Sequence, residues 1–187
     1  GVDTSKFYPV EVEKNKSFTI GCVANFWEIK DQITLIKAVE MLLSNGENIL
    51  LRLIGSGPTL QSCKDYVQLK NLNQFISFEK EIRHELLNTF INKIDLFVLP
   101  SYYEALGCVY LESWATNTPF IAVRNQGISE LIPDDMKDNF LVSKSDELNL
   151  SKSILDFKNN TVLFPFDEKY NIKNTISNFL KNQVFDE

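Results

Sequence analysis

The sequence predicts a doubly wound α/β domain with a mostly parallel sheet, and three observations carry that prediction. Segments of four to seven nearly all-apolar residues recur along the chain. Stretches whose apolar residues keep a helical period separate them. Gly, Pro and Asn mark the joints between the two kinds of segment. A strand that is apolar throughout is buried on both faces, which calls for a parallel sheet covered by helices on each side.

The elements follow in order. Residues 1–16 are polar, contain Pro9 and mix Glu with Lys, so they read as a linker or leading arm. Phe18–Ala24 is the first strand. Asp31 is placed to cap a helix running to about Ser44, with Ile33, Leu35, Ile36, Val39, Leu42 and Leu43 on its apolar face. Asn45-Gly46 ends that helix. Ile49–Ile54 is a second strand, Gly55-Ser-Gly57-Pro58 a turn, and Thr59 to about Lys70 a helix. Phe75–Phe78 precedes a helix over His84–Asn92. Leu96–Leu99, stopped by Pro100, precedes one over Gly107–Thr116. Phe120–Val123 precedes a short helix near Ile128–Leu131, and Phe140–Val142 precedes one near Glu147–Phe157. The tail is different: Phe164-Pro165-Phe166 is a break, after which Ile172, Ile176, Phe179 and Leu180 form an apolar stripe. Such a helix packs either on its own sheet or partly on something outside this chain. The expected division is an arm over 1–16, a Rossmann-like unit over 17–160 and a helical tail over 161–187.

A chain of 187 residues fits one domain, and buries enough surface to fold without a disulfide or metal. With 44% apolar and 24% charged residues it belongs with globular rather than disordered chains. The net charge of −6 argues against nucleic acid or an anionic membrane as the main partner. No apolar run approaches the about 18 residues of a membrane span, and residues 1–16 hold no apolar signal core. Cys22, Cys63 and Cys108 lack CxxC spacing; they read as small core residues of a reducing, cytoplasmic setting.

In an open parallel sheet the ligand site lies beyond the carboxyl ends of the strands. The loop after the fourth strand, Ser101-Tyr-Tyr-Glu104-Ala-Leu-Gly107, is the most informative. Gly107 opens a helix and lets a ligand approach the backbone. The free N–H groups of Gly107, Cys108 and Val109 suit an anion. Glu104 beside them can accept from sugar hydroxyls, and Glu112, further along the helix, from a second pair such as a ribose diol. From spacing alone, both glutamates also read as solvated surface acids.

The spelling of this stretch adds more. Pro100-Ser-Tyr-Tyr-Glu104-Ala-Leu-Gly107-Cys-Val-Tyr-Leu-Glu112-Ser-Trp-Ala115-Thr-Asn-Thr-Pro119 resembles the PS-x-x-E-(G/A)-x-G-x-x-x-x-E-(A/S)-x-A-x-x-x-P signature of retaining glycosyltransferases of family four, the glycosyl transferases group 1. Gly21–Ala38, Leu53–Pro58, Asp95–Pro100, Gln126–Leu131 and Asn139–Val142 resemble further ordered segments of that family. Gly1-Val2-Asp3, with Phe7 and Pro9, is similar to the segment joining the family's two domains. The likeness covers about residues 1–155.

The resemblance implies the C-terminal, donor-binding half of a two-domain GT-B enzyme. Its donor would be a nucleoside-diphosphate sugar, and the N-terminal acceptor-binding domain would belong to the same polypeptide. It implies catalytic roles for Glu104, on the transferred sugar, and Lys30, facing the diphosphate. Leu106, Gly107 and Cys108 would hold the distal phosphate at the helix start, with Ala105 beside them as a further donor-binding residue, and Glu112 the ribose. Gly55 and Gly57 would lie near ribose and base, and Glu81 and Ile82 beside the base. No Asp-x-Asp motif is present, so the implied transfer is metal-independent, with retention at the anomeric carbon. Asn25 stands where the family usually carries an arginine; an amide can bond a phosphate oxygen but brings no charge. Gln126 replaces the first of a glycine pair and is expected to narrow the pocket.

The leading reading is therefore a hexosyltransferase acting on a glycan or lipid-linked acceptor. Any membrane association, at the inner face, would be peripheral and made through the other domain. The alternatives are a non-catalytic nucleotide-sugar-binding module with a weakened phosphate site, and a GT-B relative such as an epimerase. His84 reads as exposed and non-catalytic, Tyr102 and Tyr103 as rim residues, Trp114 as core and Arg124 as surface. Trp27 reads equally as a surface residue or as one facing the missing domain or substrate.

Overall fold

The computed structural model describes residues 1–183, with side chains to Lys181. Six parallel strands form one sheet in the order β3-β2-β1-β4-β5-β6. They are β1 (Phe18–Val23), β2 (Ile49–Ile54), β3 (Ile76–Glu79), β4 (Leu96–Val98), β5 (Phe120–Val123) and β6 (Leu141–Val142). The helices are α1 (Gln32–Ser44), α2 (Leu60–Leu69), α3 (His84–Lys93), α4 (Cys108–Ala115), α5 (Lys137–Phe140), α6 (Glu147–Asn159) and α7 (Ile172–Gln183). Ile20 of β1 pairs with Leu51 on one side and Leu96 on the other. Winding therefore reverses between β1 and β4, and right-handed crossovers put α1 and α2 on one face, α3 and α4 on the other. The crevice at that reversal is where open α/β sheets hold ligands.

The strands match the apolar segments because β1, β2, β4 and β5 are buried from both sides. Gly21 shows how tightly: a Cβ there would meet Ile94 and the Phe90 ring of α3. Three local expectations need correction. Asp31 stands at the N-cap position of α1, but its side chain bonds no backbone N–H of the helix. It sits in the left-handed region at φ 50°, and its carboxylate accepts from Thr34 Oγ1 at 2.9 Å and Ser145 Oγ at 2.8 Å. It thus ties the start of α1 to the loop after β6. The helix expected near Ile128–Leu131 is a single 3-10 turn, Gly127–Glu130. Cys22 and Cys63 are buried, with thiols pushed up to about 12 and about 11 by burial, but Cys108 is exposed at the start of α4.

The arm is not a free linker. Asp3–Phe7 closes a turn through the Phe7 N–H to the Asp3 carbonyl, 3.0 Å, and Val2 and Phe7 are buried. The arm then runs along α3. Asn88 Oδ1 accepts from the Tyr8 N–H at 3.1 Å, and Asn92 Oδ1 from the Val10 N–H at 2.8 Å. One buried pair of asparagines, one helical turn apart, supplies partners that an unpaired extended segment lacks.

Among the described residues, the tail is anchored at its start. Trp114 of α4 is core, as expected; its Nε1–H donates to the Phe164 carbonyl at 2.9 Å, and Phe164, Phe166 and Tyr170 pack around its ring. Beyond them the backbone pairs with the arm, Val2 N–H to the Tyr170 carbonyl and Ile172 N–H to the Val2 carbonyl, both 2.8 Å. Helix α7 does not pack on the sheet: Ile176, Phe179 and Leu180 are all more than half exposed. Residues 184–187, the end of the tail as read from the sequence, lie outside the described residues. Among the described residues no helix is long and apolar enough to cross a membrane.

Candidate functional site

The loops that follow β1, β4 and β5 converge at the crevice. The β4–α4 loop is bound to the β1–α1 loop through the Ile29 carbonyl, which accepts from Ser101 Oγ at 3.0 Å and the Tyr102 N–H at 3.1 Å. This brings the Lys30 ammonium onto the Glu104 carboxylate as a close ion pair, both groups mostly buried. Behind Glu104 stands the β5 loop. Gln126 Oε1 accepts from the Glu104 N–H at 2.8 Å, so Gln126 braces the glutamate. Gly127 lies so close that a Cβ would overlap the Ala105 carbonyl oxygen.

Gly107 takes φ 71° and ψ 82°, and a Cβ there would lie 2.7 Å from the Tyr110 ring. That ring cannot yield: Tyr110 is buried, packs against Phe97 and Phe120, and donates its hydroxyl to the Leu99 carbonyl at 2.7 Å. Among the described residues, the N–H groups of Leu106, Gly107, Cys108 and Val109 have no partner within the chain. They leave the positive end of α4 open beside Glu104.

Glu112 is only 8% exposed, although it lies on a helix one turn from the crevice. Burial raises its carboxyl above the usual range, and a bond with His84, Nε2 to Oε1 3.2 Å, opposes that rise. The other expected residues line the same edge. Asn25 is exposed; its carbonyl accepts from Gln32 Nε2 at 3.0 Å and its side chain has no partner among the described residues. Gly55 and Gly57 take φ 144° and 148° because the β1 loop presses on them: a Cβ would collide with the Ala24 and Phe26 carbonyls. Their turn and Glu79–Glu81 border an open groove of about 660 Å³, also lined by Leu60, Lys64 and Phe78. Glu81 accepts from Ser56 Oγ across it. Ile82, half-buried, leads to the start of α3.

The structure thus gathers Lys30, Glu104, Gly107 and the α4 amides at one point, with Glu112 along α4 and the Gly55–Glu81 groove at the neighbouring strands. Tyr102 packs under the Lys144 ammonium, 3.5 Å from its ring centre, while Tyr103 is exposed. Trp27 is exposed, and Arg124 bonds Asp138 at 2.6 Å. Three roles were not legible in the sequence: His84 as partner of Glu112, Gln126, expected only to narrow the pocket, as brace of Glu104, and Gly127 as the residue that admits Ala105. Each acts across loops far apart in the chain.

A six-stranded parallel sheet of this order, with its loops gathered at the switch point, defines a Rossmann-like α/β domain. The chain belongs to the Glycosyl transferases group 1 family, whose model matches residues 3–176. Among curated relatives, the capsular polysaccharide biosynthesis glycosyltransferase CapM of Staphylococcus aureus is 28% identical over 142 residues, 75% of this chain and 36% of CapM. Among solved structures, sucrose-phosphate synthase of Thermosynechococcus elongatus superposes with a TM-score of 0.80 at 23% identity, covering 99% of this chain and 51% of that one. The C-terminal domain of the group 1 glycosyl transferase LpcC of Francisella tularensis gives 0.76 at 21% identity, covering 96% and 98%. At those identities the structures show the fold alone. The chain spans between 26% and 41% of the length of eight of the curated relatives it matches.

Proposed function

We propose that this chain is the donor-binding half of a retaining glycosyltransferase of family four, which transfers a hexose from a nucleoside-diphosphate sugar to a glycan or lipid-linked acceptor. The observation that carries the reading is the α4 entrance: four free amides, with Glu104 on one side and Glu112 along the helix. Departure of the nucleoside diphosphate builds negative charge. Oriented amides, the α4 dipole and Lys30 meet that charge, each good donor worth on the order of 3 kcal/mol of barrier. Lys30 serves twice, meeting an incoming phosphate and holding the Glu104 carboxylate in place beside the sugar hydroxyls. Gln126 fixes its backbone. The chemistry asked of these residues needs no metal. The acceptor and its own half of the cleft come from the preceding domain of the same polypeptide, through which any contact with the inner face of the membrane is made. The place of action is the cytoplasm. CapM's name supports a polysaccharide product.

Two features favour a second reading, a nucleotide-sugar-binding module without turnover. Asn25 adds no positive charge, and Lys30 is already paired. Calorimetry of this chain with UDP, GDP, ADP and their sugars tests both readings: one base should bind, and silence from all of them at millimolar concentration sinks the donor site. Turnover of the full polypeptide then separates enzyme from module. Glu112→Ala should weaken ribose diphosphates about tenfold and spare the 2′,3′-dideoxy forms; equal losses would remove Glu112 from the ribose.

A further inference from the structure

We propose that His84 is a positioning residue for Glu112, held in that role by Phe7 of the arm; the inference rests on the ribose reading of Glu112 above. Glu112 is buried, and among the described residues its carboxylate has one side-chain partner, the His84 imidazole. Its own helix offers none, since the nearby Thr116 hydroxyl donates to the Ser113 carbonyl. His84 is the first residue of α3, and α3 is the helix along which the arm is bound. The Phe7 ring meets the imidazole edge-on, with centres 5.2 Å apart and planes at 74°. The imidazole is thus gripped between a buried phenyl ring and a buried carboxylate, while its side chain stays 59% exposed.

An exposed ion pair contributes little. Here one partner is buried, so removing the other strands a carboxylate away from water without its donor. A carboxylate bonded through one lone pair of Oε1 is fixed in rotation and still offers Oε2 and the rest of Oε1 to a diol. Two influences act on its ionisation: burial, which raises the carboxyl, and His84, which lowers it. Arg83 and Glu85 flank His84 on α3, Lys6 and Asp3 accompany Phe7 on the arm, and Lys30 and Glu104 stand at the α4 entrance; none of them figures among those influences. Without the imidazole, Glu112 should take up its proton at higher pH and lose its grip on two hydroxyls.

The test uses His84→Ala, with His84→Gln as the rescue that keeps a neutral donor. Carbon NMR of the side-chain carboxyls follows Glu112 without any nucleotide. Its midpoint should rise in His84→Ala and return part of the way in His84→Gln. Calorimetry with UDP, GDP and ADP at pH 5.5 and 7.5 should show about a tenfold loss in His84→Ala. The loss should be larger at pH 5.5, absent for the dideoxy forms and largely restored in His84→Gln. An unmoved Glu112 midpoint, with normal nucleotide binding, overturns the role of His84 and leaves the ribose reading standing. A wild-type chain that binds none of the three, or equal losses on ribose and dideoxy forms, overturns the ribose reading and this inference with it.

Discussion

Replacing Gly107 by alanine should destabilise the chain well beyond the cost of its backbone conformation, and Gly46 provides the control. Both glycines have positive φ, 71° and 86°. At Gly46 a Cβ would meet nothing within 4 Å, whereas at Gly107 it would lie 2.7 Å from the Tyr110 ring. The left-handed conformation alone costs an L-residue about 1–2 kcal/mol. That is the whole expected loss in Gly46→Ala. Gly107→Ala adds the overpacking of a ring locked by Phe97, Phe120 and the Leu99 carbonyl, typically about 1–3 kcal/mol. Urea unfolding of the two variants and wild type, with equal slopes, gives the difference directly. Each kcal/mol moves the melting temperature by roughly 2–4 °C in a chain of this size. Equal losses in the two variants would show that the Tyr110 ring moves aside, and would refute a rigid α4 entrance.

Further outcomes follow from the site and the caps. Lys30→Met should cut nucleoside diphosphate affinity by about one to two orders of magnitude, the loss of one charged donor; a change below twofold in calorimetry would take Lys30 out of the phosphate site. Glu112→Gln should stabilise the chain at neutral pH. Burial raises the folded carboxyl above its unfolded value, so its contribution is favourable at low pH and fades as pH rises through the folded value. The gain in melting temperature over wild type should therefore be larger at pH 7 than at pH 4, and the reverse order would contradict the burial seen here. Asp146 caps α6, its Oδ1 accepting from the Asn149 N–H at 3.0 Å, and Asn149 holds its carboxyl below the usual range. Asp146→Ala should cost about 0.5–2 kcal/mol. The difference should begin to shrink as pH falls below about 4, the ordinary carboxyl range of the unfolded chain, and should vanish at lower pH, where the cap itself protonates.

Much of this architecture is legible in the chain. Ile49–Ile54 and Phe120–Val123 occupy the expected residues because a nearly all-apolar run between turn residues has one stable use in a covered parallel sheet. Gly107 announces a special backbone position, and the structure gives it one. Where the reading departs from the structure, the deciding partner is remote. Asp31 has the composition of a helix cap, but Ser145, 114 residues away, draws its carboxylate elsewhere. The leading residues have the composition of a linker or arm, and their backbone partners, Asn88 and Asn92, lie some 80 residues away. Cys108 has the composition of a core residue, but the turn of α4 points it outward.

The sequence by itself determined the succession of strands and helices along the chain and the loop that carries Glu104 and Gly107. These rest on continuous apolar runs, a period of 3.6 residues and turn chemistry, all of them local. Only the tertiary structure decided that Lys30 meets Glu104 across 74 residues, that Glu112 is buried against His84 across 28, and that α7 leaves its apolar stripe exposed. Those outcomes depend on which loops the crossovers bring to one edge and how closely the helices pack there. No local pattern encodes that distance.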